Sequence, residues 1–120
     1  MNIEDRISDK AFMTTVINIM ASNDGFGLYY TQHCRERMLE RDITTSDIIY
    51  VLTHGIIVDY QGKADHPTND KIYKYKMVGE YAGNEDSIRE IAIVILVEVD
   101  RFKNPVVKIQ KILTTMWEDL

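Results

Sequence analysis

The segment YYTQHCRERMLERDITTSDI, residues 29–48, gathers one histidine and three arginines within nine consecutive positions of an otherwise acidic chain. On a helix with 3.6 residues per turn, His33, Arg37 and Glu40 lie within about 60° of one another, and Arg41 lies at the edge of this arc. A histidine can act as a general base, and fixed guanidinium groups stabilise charge that develops on a phosphate. These groups suit one chemistry, metal-independent RNA cleavage, with His33 as base or acid and Arg37 and Arg41 on the phosphate.

The same spacing has a simpler interpretation, in which this is an exposed amphipathic helix whose charges are solvated. Arg37 and Arg41 are a like-charge pair at i and i+4, which opposes an isolated helix by roughly 0.2–0.5 kcal/mol. Local helix stability therefore does not explain the pairing. On the opposite side of the helix we expect Cys34, Met38 and Leu39 to contact the core.

Three helices are predicted over the first half of the chain. Ser8 caps the first helix, which ends before Asn23. Thr31 caps the second, which runs to about Arg41 and is ended by Asp42. We expect the first helix to pack through four apolar residues at helical spacing: Phe12, Val16, Ile19 and Met20.

The third helix begins with a capping box, because Thr44 and Asp47 have the spacing of two residues that bond each other's backbone. Its predicted apolar stripe consists of Ile48, Val51 and Leu52. Gly55 follows the last turn, where a left-handed conformation is common. Just before the second helix, residues 28–30 are predicted to form a short edge strand.

From residue 56 the pattern changes to segments rich in β-branched and aromatic residues, separated by turn formers. The strands are predicted at 56–61, 71–78, 88–99 and 106–115. Because residues 91–97 are apolar on both faces, we expect the third strand to be central, to be covered twice and to bury Ile91, Ile93, Ile95 and Val97. Helices followed by an antiparallel meander make an α+β fold.

Four lysines are candidates for a basic, substrate-binding patch. Lys74 and Lys76 alternate with Tyr73, Tyr75 and Met77, so period two predicts that the lysines face water and the other three residues face the core. Lys108 and Lys111 on the last strand extend the patch if the sheet order allows it.

Composition excludes several classes of protein. The chain has 120 residues, 45% of them hydrophobic, which is enough for a single domain over residues 1–120. Its 19 acidic and 14 basic residues argue against indiscriminate binding to nucleic acid or to anionic membrane. We expect a cytoplasmic protein without a membrane span, because the longest apolar run has seven residues and the N-terminus lacks the apolar region of a signal peptide.

No metal or cofactor is expected. Cys34 and the histidines at 33, 54 and 66 lack the paired spacings of a zinc site, and no phosphate-binding loop motif is present. Cys34 is expected to be a buried thiol rather than a nucleophile. Trp117 is expected to anchor the core or an interface.

The run TQHCRERMLERDIT resembles the opening of the bacterial domain-of-unknown-function family 4258, whose pattern is T-x-H-A-x-x-R-M-x-x-R-G-I. The resemblance covers about residues 29–119, so residues 1–28 look like an added N-terminal helix. It implies a relationship to RelE-like and BrnT-like ribonuclease toxins, with a RelE/barnase-like fold. The sequence departs from the pattern at Cys34, where alanine is usual, and at Asp42, where glycine is usual.

Two functions follow as hypotheses. The first is a small ribonuclease of the toxin type, whose partners would be RNA and a cognate antitoxin. The second is a non-catalytic acidic protein, such as an antitoxin, immunity protein or phage-encoded inhibitor, that uses the same fold to block a basic protein partner. The net charge of −5 favours the second hypothesis.

Overall fold

The computed structural model describes residues 2–23, 29–84 and 87–117, without the side chains of 23, 81–84 and 87–89. A short 3₁₀ helix, Ile3–Arg6, leads into three α-helices and four strands. The helices are α1 Lys10–Asn23, α2 Gln32–Arg41 and α3 Thr45–His54. The strands are β1 Ile56–Lys63, β2 Ile72–Asn84, β3 Ser87–Val99 and β4 Val107–Trp117.

The four strands form one antiparallel sheet in the order β1-β2-β3-β4, so the predicted meander and α+β class are confirmed. The predicted strand at residues 28–30 contributes one parallel bridge, between Tyr30 and Ile112; Leu28 lies outside the described residues. In the described part of the chain, no helix has the length and apolar character needed to cross a membrane.

The core lies between the helices and one face of the sheet. The predicted inward residues of β2, Tyr73, Tyr75 and Met77, are buried there, and so are the four predicted residues of β3: Ile91, Ile93, Ile95 and Val97. The stripe Ile48, Val51 and Leu52 of α3 is fully buried against them, as predicted.

The other face of β3 is not part of this helix-bearing core, which corrects the expectation that two layers cover the strand. Ala92 and Val94 are buried but lie outside the core cluster. Their cross-strand neighbours are Val78 and Met116 for Ala92, and Lys76 and Thr114 for Val94. Side chains of adjacent strands, which stand about 5 Å apart, are sufficient to cover these small residues.

The first helix is rotated relative to its prediction. Its fully inward residues are Met13, Ile17 and Ala21, whereas Ile19 is 56% exposed, so the prediction for Ile19 was wrong. The other three predicted residues of the stripe are half-buried against the core: Phe12, Val16 and Met20. The cap also differs, because the Asp9 carboxylate, and not Ser8, accepts the Phe12 N–H at 3.0 Å.

Gly55 ends α3 in an extended conformation, with φ −80° and ψ 179°, and not in the predicted left-handed one. A Cβ at this position would lie 2.5 Å from the Val51 carbonyl oxygen and 2.7 Å from that of Val78. Both atoms belong to the backbone and cannot rotate away. The glycine is therefore required by the close approach of α3 to β2.

The segment before α1 is bonded to the sheet. The Tyr75 hydroxyl donates to the Ile7 carbonyl at 2.8 Å inside the core. The Glu4 carboxylate accepts from Lys71 at 2.8 Å and from the Arg101 N–H at 3.2 Å. The N-terminal region thus contacts the β1–β2 and β3–β4 connections as well as the sheet itself.

Replacing Tyr75 by Phe is expected to lower the free energy of unfolding by about 1–2 kcal/mol, because the buried Ile7 carbonyl would lose its donor. The measurement is the midpoint of chemical denaturation at constant slope. Tyr60→Phe is the control: Tyr60 contacts the Tyr75 ring at 5.4 Å, and none of the hydrogen bonds described involves its hydroxyl. Equal losses in the two variants would show that the Tyr75 bond contributes nothing specific.

Candidate functional site

Helix α2 is attached to β4 at its N-terminal end. The Thr31 hydroxyl caps the helix by accepting the Cys34 N–H at 3.1 Å, and it also donates to the Leu113 carbonyl at 2.9 Å. Two backbone bonds join Tyr29 and Thr31 to Ile112. The predicted cap at Thr31 is confirmed, and it also serves as the joint between helix and sheet.

The C-terminal end of α2 is attached to the same strand. The Arg41 guanidinium donates to the Thr115 carbonyl at 3.2 Å, and the Trp117 indole N–H donates to the Arg41 carbonyl at 3.0 Å. Asp42 then leaves the helix with φ 56°, so its predicted role as terminator is confirmed. Because both ends of α2 are bonded to β4, the helix packs against this strand.

The inward side of α2 is narrower than predicted. Cys34 is fully buried, as expected, and burial raises the pKa of its thiol to about 11, which disfavours the nucleophilic thiolate. Met38 is half-buried, and Leu39 is 85% exposed, so Leu39 is not a core residue. Because α2 packs mainly against the edge strand β4, one row of side chains is enough to fill the contact.

The outward side carries His33 and Arg37. His33 is exposed in the first turn of α2. One turn later, an Arg37 guanidinium nitrogen lies 2.6 Å from a Glu40 carboxylate oxygen, in a pair that is largely open to solvent. Arg41 differs from both, because its guanidinium is directed to the β4 backbone. The three predicted residues thus lie on one helix, and one of them, Arg41, attaches that helix to β4.

The four predicted lysines lie on one face of the sheet, opposite the helix-bearing core. Lys74 and Lys111 are the two cross-strand partners of Leu96, Lys76 is a partner of Val94, and Lys108 is a partner of Glu98. We call these four residues the lysine face. Lys108 and Lys111 are three residues apart and would point to opposite sides of a regular strand. An extra residue in β4, between the partners of Leu96 and Val97, returns them to the same side.

One buried acid lies within the lysine face. The Glu98 carboxylate accepts from Lys103 Nζ at 2.9 Å and from Asn69 Nδ2 at 2.6 Å. The Lys103 hydrogen bond is the largest cause that holds the pKa of Glu98 below its ordinary value. This carboxylate is therefore ionised at neutral pH and already paired.

The lysine face and α2 meet at Tyr29, a residue that the sequence interpretation did not single out. Lys111 Nζ lies 5.7 Å from the centroid of the Tyr29 ring. The backbone carbonyl of Tyr29, two residues before the cap Thr31, accepts the Ile112 N–H. In the sequence Tyr29 is marked only as an aromatic residue two positions before a cap, because its contact with Lys111 depends on how β4 is paired.

The other histidines lie elsewhere. His54, at the end of α3, contacts the Tyr50 ring with centroids 4.7 Å apart. His66 accepts two backbone N–H groups of its own turn, those of Thr68 and Asn69. Over residues 2–23, 29–84 and 87–117, no three His, Cys, Asp or Glu side chains converge as a metal site would require.

Comparison with protein families gives one match. A family model described as "Domain of unknown function (DUF4258)" matches residues 30–117. No curated protein and no solved structure matches the chain. The resemblance to the family is therefore confirmed, and the relationship to RelE-like and BrnT-like toxins stays a prediction.

Proposed function

The chain belongs to the DUF4258 family, and from this membership and the geometry of α2 we propose that it is a metal-independent endoribonuclease of the toxin type. One observation carries the proposal. The double attachment of α2 to β4 brings an exposed histidine and arginine to the same sheet edge as Lys111. A base and cations from two elements at one edge suit a phosphodiester substrate.

In the proposed reaction, an imidazole nitrogen of His33 accepts the proton of a ribose 2′-hydroxyl. The 2′-oxygen then attacks the adjacent phosphorus, and the bond from phosphorus to the 5′-oxygen breaks. The leaving oxygen takes up a proton, so the products end in a 2′,3′-cyclic phosphate and a 5′-hydroxyl. Arg37 and Lys111 stabilise the additional negative charge on the phosphate oxygens.

Arg37 can serve this role although it is paired with Glu40. An exposed ion pair contributes only about 0–1 kcal/mol, so a phosphate with several acceptor oxygens can replace the carboxylate. In the same scheme Arg41 is a positioning residue, since its bond to the Thr115 carbonyl fixes the helix that carries the other two groups.

The lysine face supplies the proposed binding surface for the RNA backbone. Lys74, Lys76, Lys108 and Lys111 contribute charge without reading bases, so binding through them would weaken steeply as salt rises. A local patch of this kind is compatible with a net charge of −5, because the field near a surface is governed by the nearest charges within about a Debye length.

Arg37→Gln is expected to lower the affinity for RNA, or the rate of its cleavage, by roughly tenfold, the effect of losing about 1.4 kcal/mol of charge-assisted contact. The assay uses purified protein, single-stranded RNA and EDTA. Arg35→Gln is the matched control, because it removes the same charge from an exposed position of the same helix. If both variants lose activity equally, net charge rather than a phosphate contact explains the effect.

A second candidate is the acidic binding protein that blocks a basic partner. It is favoured by the chain charge and by the charge balance over residues 32–42, where Glu36, Glu40 and Asp42 offset the three arginines. Induced expression separates the two functions. Growth arrest with RNA fragmentation supports the ribonuclease, whereas harmless expression with co-purification of a basic protein supports the inhibitor.

A further inference from the structure

A cavity of about 340 Å³ lies where the end of α3 meets the start of β1 and the middle of the β2–β3 hairpin. Its walls come from Tyr50, His54, Ile56 and Val58, and from Glu80 and Glu90. None of these residues belongs to the proposed ribonuclease site on α2 and the lysine face. The cavity is therefore a separate feature that the proposed function leaves unused.

The two carboxylates of the cavity face each other across the hairpin. Glu80 and Glu90 are direct cross-strand partners, so their Cβ atoms are about 4.5–5.5 Å apart. Like charges in this position destabilise a sheet. Both residues are exposed, and neither has a hydrogen bond or ion pair among the side chains that the structure describes. The unfolded chain would not feel this repulsion, so we expect the pair to lower the stability of the free protein and a bound cation to relieve the repulsion.

The remaining walls are aromatic and apolar. The Tyr50 ring is exposed and lies beside that of His54. Ile56 is 58% exposed, and Val58 on the same edge strand is also among the exposed large apolar residues. An aromatic face attracts a cation, and apolar side chains contact a methylene stem. The cavity thus combines the three surfaces that fit a long, basic side chain: paired acids, a ring and an apolar wall.

We propose that this cavity binds an arginine side chain of a basic protein partner. The planar guanidinium has donors for two carboxylates at once and stacks on aromatic rings, which a lysine ammonium does less well. The volume lies at the lower end of the range for ligand sites, about 300–1,000 Å³, and so suits one side chain rather than a large ligand. The acidic net charge of the chain would attract such a partner.

The proposal is tested by titrating the full chain with acetyl-arginine-methylamide and following backbone amide shifts by NMR. Saturable shifts are expected around Tyr50, His54, Ile56 and Gly79. Acetyl-lysine-methylamide is expected to bind more weakly at the same place. Glu80→Gln and Glu90→Gln should each weaken arginine binding about tenfold, whereas Glu36→Gln on α2 removes the same charge and should not.

Stability gives an independent readout. Glu80→Gln and Glu90→Gln are each expected to raise the melting temperature of the free protein, because each removes the like-charge contact. If the two acids serve only to stabilise the fold, the same replacements should lower the melting temperature. The proposal is overturned if the arginine shifts do not saturate, if they spread over the acidic surface, or if the glutamate variants bind as tightly as the wild type.

This test is independent of the ribonuclease proposal. RNA cleavage depends on α2, so cleavage can be absent while the cavity binds arginine, and the reverse can also occur. A second experiment uses a 20-residue arginine-rich peptide and variants of it in which each arginine is replaced by alanine in turn. If one cavity holds one arginine, a single replacement should weaken binding much more than the others. Equal losses at every arginine would indicate diffuse charge attraction and would overturn the proposal.

Discussion

Replacing His33 by Gln is expected to reduce the rate of RNA cleavage by about 10²–10⁴-fold, the usual contribution of a positioned general base. Because His33 is exposed, the free energy of unfolding should change by no more than about 0.5 kcal/mol. The measurements are single-turnover cleavage in EDTA and chemical denaturation of the same preparation. Analysis of the product ends for 2′,3′-cyclic phosphate identifies the reaction.

His66→Gln is the control for this exchange. It makes the same replacement in the β1–β2 connection, where His66 accepts the backbone N–H groups of Thr68 and Asn69 in its own turn. If His33→Gln cleaves RNA as fast as the wild type, His33 is not the general base. The activity would then come from other residues of the chain or from a contaminant. Loss of cleavage in both variants would show that neither exchange is specific.

Deleting residues 1–24 is expected to abolish the cooperative unfolding transition, although the family match begins only at residue 30. The deletion uncovers the core beneath Met13 and Ile17, each worth about 1.5–3 kcal/mol of burial. It also removes three hydrogen bonds. These join the Asn18 amide to the Leu52 carbonyl, the Ile57 N–H to the Thr14 hydroxyl, and the Tyr75 hydroxyl to the Ile7 carbonyl. The sum approaches the 5–15 kcal/mol by which domains are stable.

Circular dichroism melts and amide spectra of the shortened chain measure this effect, and point variants of α1 locate it. Met13→Ala should cost about 2–5 kcal/mol, because its side chain is fully buried. Ile19→Ala removes a similar volume from the exposed side of the same helix and should cost far less. A cooperative melt of residues 25–120 at the wild-type temperature would mean that α1 is an appendage.

The N-terminal helix α1, which precedes the region matched by the family, also covers an edge of the sheet. Thr14 accepts the Ile57 N–H at 2.9 Å, so α1 covers part of the open edge of β1. Exposed edge strands can pair with other chains, and covering them prevents this. The helix therefore completes the core and protects the sheet edge, while the cavity beside Ile56 remains open.

The sequence by itself determined the elements whose causes are local. Thr31 caps α2, Thr44 and Asp47 form the capping box of α3, and Asp42 terminates α2, all as predicted. A cap is made between residues two or three positions apart, so neighbouring types are enough to specify it. The alternation of Lys74 and Lys76 with inward aromatic residues was equally readable, since period two is a property of the strand.

Tertiary structure decided which of several equivalent local solutions was used. The apolar residues of α1 allow a stripe centred on Phe12 and Val16 or one centred on Met13 and Ile17, and contact with α3 and β1 selects the second. A glycine can end a helix in more than one backbone conformation, so its presence at residue 55 did not decide between them. Part of what requires a glycine here is the approach of the Val78 carbonyl, which lies 23 residues further along the chain.

The surfaces proposed for function depend most strongly on long-range pairing. Lys108 and Lys111 share a face only because β4 contains an extra residue, and Glu80 faces Glu90 only in the hairpin register observed. Shifting a strand by one residue turns every side chain to the other face, so spacing within one strand cannot fix such neighbours. The sequence therefore identified the helix that carries His33 and Arg37, and only the paired sheet determined which cations and acids lie together.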